Sequence, residues 1–336
     1  MTHRIATCLI ILSVVFLALL SIGMGVGSSG FDSLLKAIND PVAWQIVWDI
    51  RLPRTLGAWA TGALLGLAGA LAQGLFRNPL ADPFLLGSAS GAALGVAVAL
   101  AMVGGPLLGM ATSDATWWVR LGLTGAGFLG AVGGVLLTLV LAQGVQHTLR
   151  LLLAGVIVGV VLGAVKDLLT LAAPEMLQAM QAFNLGNTGF IGWNACAMLL
   201  GVLLPCLLLA FAFSRVLDGL ALGEATAKSL GLPLVPLRAA LIGVLALATG
   251  TAVAQTGLIA FIGLAAPHVV RSLVKTTHGF LLLLASMMGG CLLMAADLLA
   301  RWLIAPQELP VGVLTAVLGG SYLLWLMHRR SVPGGV

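Results

Sequence analysis

The chain has 336 residues, of which 60% are hydrophobic and only 8% charged, and its mean hydropathy is +1.12. Soluble domains carry about 25% charged residues, so a water-soluble globule is excluded. The net charge of +5 does not point to nucleic acid, because the basic residues stand singly between apolar runs. The 44 glycines and the 6% aromatic share suit closely packed membrane helices, and nothing alternates in segments of about ten residues as a membrane β-barrel does. The fold class is an all-α polytopic membrane protein, one transmembrane domain over residues 1–336. Cys8, Cys196, Cys206 and Cys291 lie inside apolar runs without C-x-x-C spacing. Zinc, haem-attachment and disulfide-framework readings fail there, leaving buried small hydrophobes.

A helix that crosses a bilayer needs about 20 apolar residues. In chain order that length predicts spans near 5–27, 55–76, 84–104, 117–142, 149–172, 191–213, 234–255, 257–271, 279–301 and 310–328. The first run follows His3 and Arg4, is long for a signal-peptide core and has no clean small-x-small cleavage site, so it reads as a membrane helix. The eighth is short. About ten spans put both termini on one side, and the basic residues say which. With the termini cytoplasmic, the inner segments hold Arg4, Arg77, Arg150, Arg215, Lys228, Arg238, Arg271, Lys275, Arg329 and Arg330, ten of the sixteen Lys and Arg. Lys36, Arg51, Arg54, Arg120, Lys166 and Arg301 are the remainder. Trp59, Trp117, Trp118, Trp193 and Trp302 fall at predicted outer ends, with Trp44 and Trp48 just before the second span, as an interfacial belt would have them. Trp325 belongs near the inner face.

Gly87-Gly91-Gly95 and Gly155-Gly159-Gly163 each line one helix face with no side chain, so another backbone can come close. Packing within one subunit and a pore or dimer face are both open readings of each stripe. Ala70-Leu71-Ala72-Gln73 in the second span echoes Ala252-Val253-Ala254-Gln255 in the seventh. Elements five helices apart point in opposite directions, so the echo would mark an inverted repeat.

Candidate chemistry is sparse. Gly223-Glu224-Ala225-Thr226-Ala227-Lys228-Ser229 ends like a phosphate-binding loop, but Ala227 stands where the second glycine is required. No HExxH, GxSxG or paired-carboxylate pattern occurs, so no catalytic residue, metal site or resident cofactor is expected. Ionisable residues inside lipid are functional candidates by default. Lys166 and Asp167 lie in the fifth span, and Lys166, the only basic residue deep in a span, is a pore candidate that would attract an anionic ligand; snorkelling or packing is the other reading. Asp297 and Arg301 stand at i,i+4 with the acid first. A series of buried carboxylates, as in proton-driven carriers, is missing.

The connectors are more informative. Arg51-Leu52-Pro53-Arg54 presents two basic groups before the second span. Arg77-Asn78-Pro79-Leu80-Ala81-Asp82-Pro83 is a short loop stapled by two prolines. The stretch from Arg215 to Arg238 is the longest inner connector, and 220–228 within it reads as a short helix with a Glu224–Lys228 pair, a natural docking knob.

Taken together, RLPR (51–54), RNPLADP (77–83), LLGSASGAALG (85–95), RLLLAG (150–155), LGE (222–224), FIGLAAPHVVR (261–271), AADLLAR (295–301) and LPVGVLTAVLG (309–319) resemble, in order, the FecCD family of ABC importer permeases. That family moves ferric siderophores, haem or vitamin B12 into bacteria. Three stretches depart from its pattern: Lys275-Thr276-Thr277-His278-Gly279, Ser321, and Phe183-Asn184-Leu185-Gly186-Asn187-Thr188. The resemblance implies a ten-helix subunit of the inner membrane that pairs with a second copy around the translocation path. Two separate ATP-binding subunits would dock inside and use the ATP, and a periplasmic substrate-binding protein would deliver substrate outside. It also implies roles. Gly223, Glu224, Ala225 and Lys228 would enter a groove of the ATPase. Asn78, Leu80, Thr148 and Leu149 would narrow the cytoplasmic gate. Arg51, Arg54 and Arg301 would grip glutamates of the binding protein. Haem is the expected substrate, with vitamin B12 or a ferric siderophore as alternatives. A stand-alone secondary carrier is the rival class.

Overall fold

A bilayer offers no water to the backbone, so each long apolar run satisfies its own N–H and C=O groups as a helix. The computed structural model describes residues 2–27, 30–31, 40–103, 117–145 and 148–331. The helices are α1 (Thr2–Gly25), α2 (Pro41–Ile46, continued by a π turn Val47–Arg51), α3 (Leu52–Phe76), α4 (Ser88–Val103), α5 (Trp117–Leu141), α6 (Thr148–Ala172), α7 (Leu177–Leu185), α8 (Trp193–Ala212), α9 (Ser214–Ala221), α10 (Glu224–Ser229), α11 (Leu234–Thr256), α12 (Ile262–Leu273), α13 (His278–Trp302) and α14 (Val311–Ser331). Val26–Gly27 and Gly30–Phe31 form a two-residue antiparallel pair. Among the described residues, seven helices are long and apolar enough to cross a membrane, α1, α3, α5, α6, α8, α11 and α13, with α4 and the apolar part of α14 as shorter companions.

These elements match the predicted spans within a few residues, and the eighth shows how a short one manages. At 1.5 Å per residue, the 12 residues of α12 rise only about 18 Å, well short of the hydrocarbon core. Residues 257–261 precede it as non-helical chain, able to add up to about 16 Å. Exposed backbone there would be costly in lipid. It is bonded instead: Leu258 N–H donates to the Phe183 carbonyl at 3.0 Å, and Asn187 N–H to the Thr256 carbonyl at 2.8 Å. The end of α7 supplies those partners. The length rule does not predict α7, because nine residues lie below its window.

The core is centred on α3. From Pro53 to Phe76 its residues are buried, except Leu56 and Trp59, which are partly so. It packs against α13, α11, α12 and α8. Small residues make this possible: a Cβ on Gly66 would lie 2.3 Å from the Ala285 carbonyl oxygen, and one on Gly62 2.3 Å from that of Gly289. The first glycine stripe is used the same way within the chain. A Cβ on Gly91 would meet the Gly130 carbonyl oxygen at 2.2 Å, locking α4 to α5. The second stripe divides. Gly155 abuts the Leu85 carbonyl oxygen, whereas nothing lies within 4 Å of a Cβ on Gly163.

Packing relations recur with an offset of five spans. α3 lies on α13 as α11 lies on α5, and α4 lies on α5 as α12 lies on α13, the arrangement a repeated five-helix unit would give.

The tryptophans follow the belt reading in part. Trp44, Trp48 and Trp302 are exposed. Trp44 stacks on Trp48, and Trp193 donates its indole N–H to the Trp48 carbonyl at 3.0 Å. Trp59 does not belong to the belt. Seven residues into α3, it packs against Phe16 at 5.1 Å between ring centroids and over Gly290. Lys36 and the side chains of Trp117, Trp118, Arg120, Trp325, Arg329 and Arg330 lie outside the described residues.

Candidate functional site

Polar side chains gather at the two ends of this bundle, and they differ in kind. At the end carrying the 213–233 connector, α9 lies on α3 and α13 with Val216, Leu217 and Leu220 buried. Asp218 on its other face accepts the backbone N–H of His278 at 3.0 Å and contacts the His278 Nδ1 at 2.7 Å, which pins the connector to the start of α13. Gly223, at φ 107°, turns the chain through a conformation open to glycine and starts α10. Glu224 then uses both carboxylate oxygens inside the chain, accepting Lys228 Nζ at 3.2 Å and Arg238 Nη2 at 3.1 Å. The hydrogen bond from Arg238 is the main reason its carboxyl lies below the ordinary glutamate value; partial burial opposes this and Lys228 adds to it.

The Glu224 carboxylate, expected to reach into a partner's groove, turns back on its own chain in both contacts. The exposed residues over 222–230 are Leu222, Ala225, Thr226, Lys228, Ser229 and Leu230, with Gly223 and Glu224 half-buried. Nearby, Arg77 ends α3 in the left-handed region at φ 49°. Asn78 accepts the Leu80 N–H at 2.9 Å, which fixes a turn that leaves Leu80 exposed. Leu149, at the start of α6, is 83% exposed, and the side chain of Thr148 lies outside the described residues. Gln73 bridges helices here, donating to the Leu264 carbonyl at 3.3 Å and accepting from Arg271.

The opposite end is built around one buried carboxylate. Asp297 is fully enclosed. It accepts Arg54 Nη2 at 3.0 Å, Arg301 Nη2 and the Thr188 hydroxyl. Arg54 also donates to Glu308, 2.8 Å away, and Arg301 to Thr55 Oγ1 at 3.3 Å. Arg51 is buried too and donates to the carbonyls of Met24 and Gly25, each at 3.3 Å.

Arg51, Arg54 and Arg301, the residues expected to grip a binding protein, are all buried in this chain. All three guanidinium groups are turned into the bundle. The π turn before α3 and the i,i+3 spacing place Arg51 and Arg54 on the inward face, while i,i+4 spacing aims Arg301 at Asp297. The cluster ties α3, α13, the loop containing Thr188 and the loop containing Glu308. Lys166 also differs from expectation. Its ammonium lies 2.8 Å from Asp167, with the lysine side chain largely covered and the aspartate exposed, so the pair presents no net charge to a pore.

Several partners were not visible along the chain. Arg238 and Glu224 are 14 residues apart, Asp218 and His278 60, Arg54 and Asp297 243. Among the described residues, the Asp297–Arg301, Glu224–Lys228 and Lys166–Asp167 pairs lie within one helical turn. Thr188 closes a segment that departs from the family pattern, and its bond to Asp297 gives that departure a structural role.

A bundle of helices long and apolar enough to cross a membrane, with a polar connector at one end and a buried ionic cluster at the other, is the architecture of a polytopic membrane protein. Over residues 11–329 the chain matches the model of the FecCD transport family, and it belongs to that family. The hemin transport system permease protein HmuU of Yersinia pestis is 37% identical over 331 residues, covering 97% of this chain and 96% of that protein. The vitamin B12 import system permease protein BtuC of Escherichia coli is 36% identical over 289 residues, 85% and 84% of the two chains. A solved structure described as an inward-facing conformation of a metal-chelate type ABC transporter superposes with a TM-score of 0.85 at 28% identity, covering 96% of this chain and 99% of that one. The chain is a membrane permease of this family.

Proposed function

We propose that this chain carries haem across a bacterial inner membrane as the permease subunit of an ABC importer, with both termini cytoplasmic. The observation that carries the substrate is the similarity to a hemin permease along 97% of the chain. In this reading two copies enclose the path. The large apolar side chains that α6 leaves exposed, among them Leu149, Leu153, Val156 and Val160, give a second copy a surface to cover. Two separate ATP-binding subunits seat on the connector end and hydrolyse the ATP, contacting Gly223, Ala225, Lys228 and the exposed Leu222 and Leu230. Asn78, Leu80, Thr148 and Leu149 form the gate at that end. Neutral and apolar groups suit a gate, since a charged one would hold a haem propionate. A periplasmic binding protein supplies substrate at the opposite end.

Vitamin B12 is the second reading, favoured by nearly equal identity to the B12 permease over a shorter stretch. The test is reconstitution of the permease with a separate ATP-binding subunit that co-purifies with it. ATP-dependent uptake of haem, followed by its absorption spectrum, supports the reading; uptake of cobalamin alone supports the second. Transport that needs an ion gradient and no ATP would make it a secondary carrier.

A further inference from the structure

Arg238 stands on the first turns of α11 with its side chain 5% exposed. Its Nη2 donates to Glu224 Oε2 at 3.1 Å, and its Nη1 to the Val145 carbonyl at 3.5 Å. One guanidinium thus joins three stretches: the connector helix α10, the span α11, and the turn after α5 that ends at Val145. Val145 is buried and lies three residues before Thr148 and four before Leu149. α10 packs chiefly on α9, so the bond to Arg238 is a direct tie from α10 to a membrane helix. Arginine suits this post because its planar fork carries separate donors in fixed directions, whereas a lysine ammonium is a point charge on a flexible stem.

We propose that Arg238 is the positioning residue that passes displacement of the connector to the gate. When the connector moves, Glu224 moves with it, the guanidinium follows its carboxylate, and the Val145 carbonyl is drawn along with the start of α6. Glu224 then works through Arg238 and not through contact with the ATPase. This rests on the reading of the chain as an ABC permease whose gate includes Leu149.

The test uses the assembled permease–ATPase complex in proteoliposomes and reads three quantities. They are haem transported per ATP hydrolysed, retention of the ATPase subunits on purification, and crosslinking of Leu149→Cys between the two copies with and without nucleotide. Arg238→Gln should lower the transport ratio about tenfold, toward the lower end of the range for coupling between sites. It should keep the ATPase subunits bound and make the crosslink indifferent to nucleotide. The double variant Glu224→Gln with Arg238→Gln should be no worse than Arg238→Gln alone, since both act through one contact. If Arg238→Gln fails to fold, Arg238→Lys reads the same quantities. It keeps the charge beside Glu224 but not the fixed second donor, and its transport ratio should fall less.

An unchanged ratio and a nucleotide-dependent crosslink in either Arg238 variant would overturn the proposal. So would ATPase loss in Glu224→Gln alone, which would put Glu224 in the docking contact. A wild-type complex without ATP-dependent uptake would instead overturn the functional reading, before any variant is compared.

Discussion

Asp297 is one carboxylate serving two guanidinium groups and a hydroxyl, and the imbalance decides what a substitution does. Removing one member of a buried ion pair leaves an uncompensated charge and costs about 3–5 kcal/mol, whereas replacing the whole group with apolar residues is often neutral. Asp297→Ala should therefore sharply lower thermal stability in detergent, measured by loss of monodisperse protein on heating. Glu308→Gln, at the exposed edge of the same cluster, should change it little. The triple change Asp297→Leu, Arg54→Leu, Arg301→Met should be milder than Asp297→Ala alone. Glu224 supplies a pH signature at the other end. Its folded pKa is lowered, so the bond to Arg238 contributes fully above the ordinary glutamate value of about 4.3 and fades as pH falls through the folded value. Amide hydrogen exchange over 224–232, corrected for its intrinsic pH dependence, should quicken on acidification, and Glu224→Gln should flatten that response.

Among the elements, glycines separate contacts made inside the chain from faces left open. Gly91→Leu would drive a side chain into the α5 backbone, where overpacking typically costs about 1–3 kcal/mol or more; little folded protein should be recovered. Gly163→Leu meets nothing in its own chain and should fold normally. Its effect, read by size-exclusion chromatography in a mild detergent, should be confined to association of two copies. The spans were legible because length and hydropathy are local properties: α3, α6, α11 and α13 fall within a few residues of where apolar runs place them. The glycine stripe on α4 was visible, but nothing on one strand of sequence says which carbonyl faces it. The inward turn of Arg51 and Arg54 was not legible for a related reason. Counting basic residues by topological side fixes their depth and not their azimuth, and the azimuth turns them inward. Arg238 escaped notice because its role depends on partners 14 and 93 residues away.

For the whole molecule, the connector end and the latch end are set by different chemistry, one exposed and one closed on itself. The gate reading makes a prediction at this scale. Leu149→Cys in a homodimer should crosslink between copies in one nucleotide state and not in another, and crosslinking independent of nucleotide would count against a gate at this position. Leu80→Cys, exposed at the same end, should follow the same pattern. The family match over residues 11–329 and the departures at 183–188 and 275–279 fit this division. Thr188 joins the closed end, and His278 fixes the connector at the other.

The helix α13 connects these two fixtures. Its first residue is clamped to Asp218, and its last turns carry Asp297 and Arg301 into the buried cluster. Near its midpoint, Gly289 presses on Gly62 and Gly66 with no side chain between the backbones. Were the helix to turn as a rigid rod, that contact would be its fulcrum. At 25 residues it is about 37 Å long, so a 10° tilt about that contact carries each tip about 3 Å, in opposite directions. A push on the connector would then be felt at the far end as a counter-movement of the Asp297 cluster, and the glycines that set the fulcrum would fix how much of it arrives.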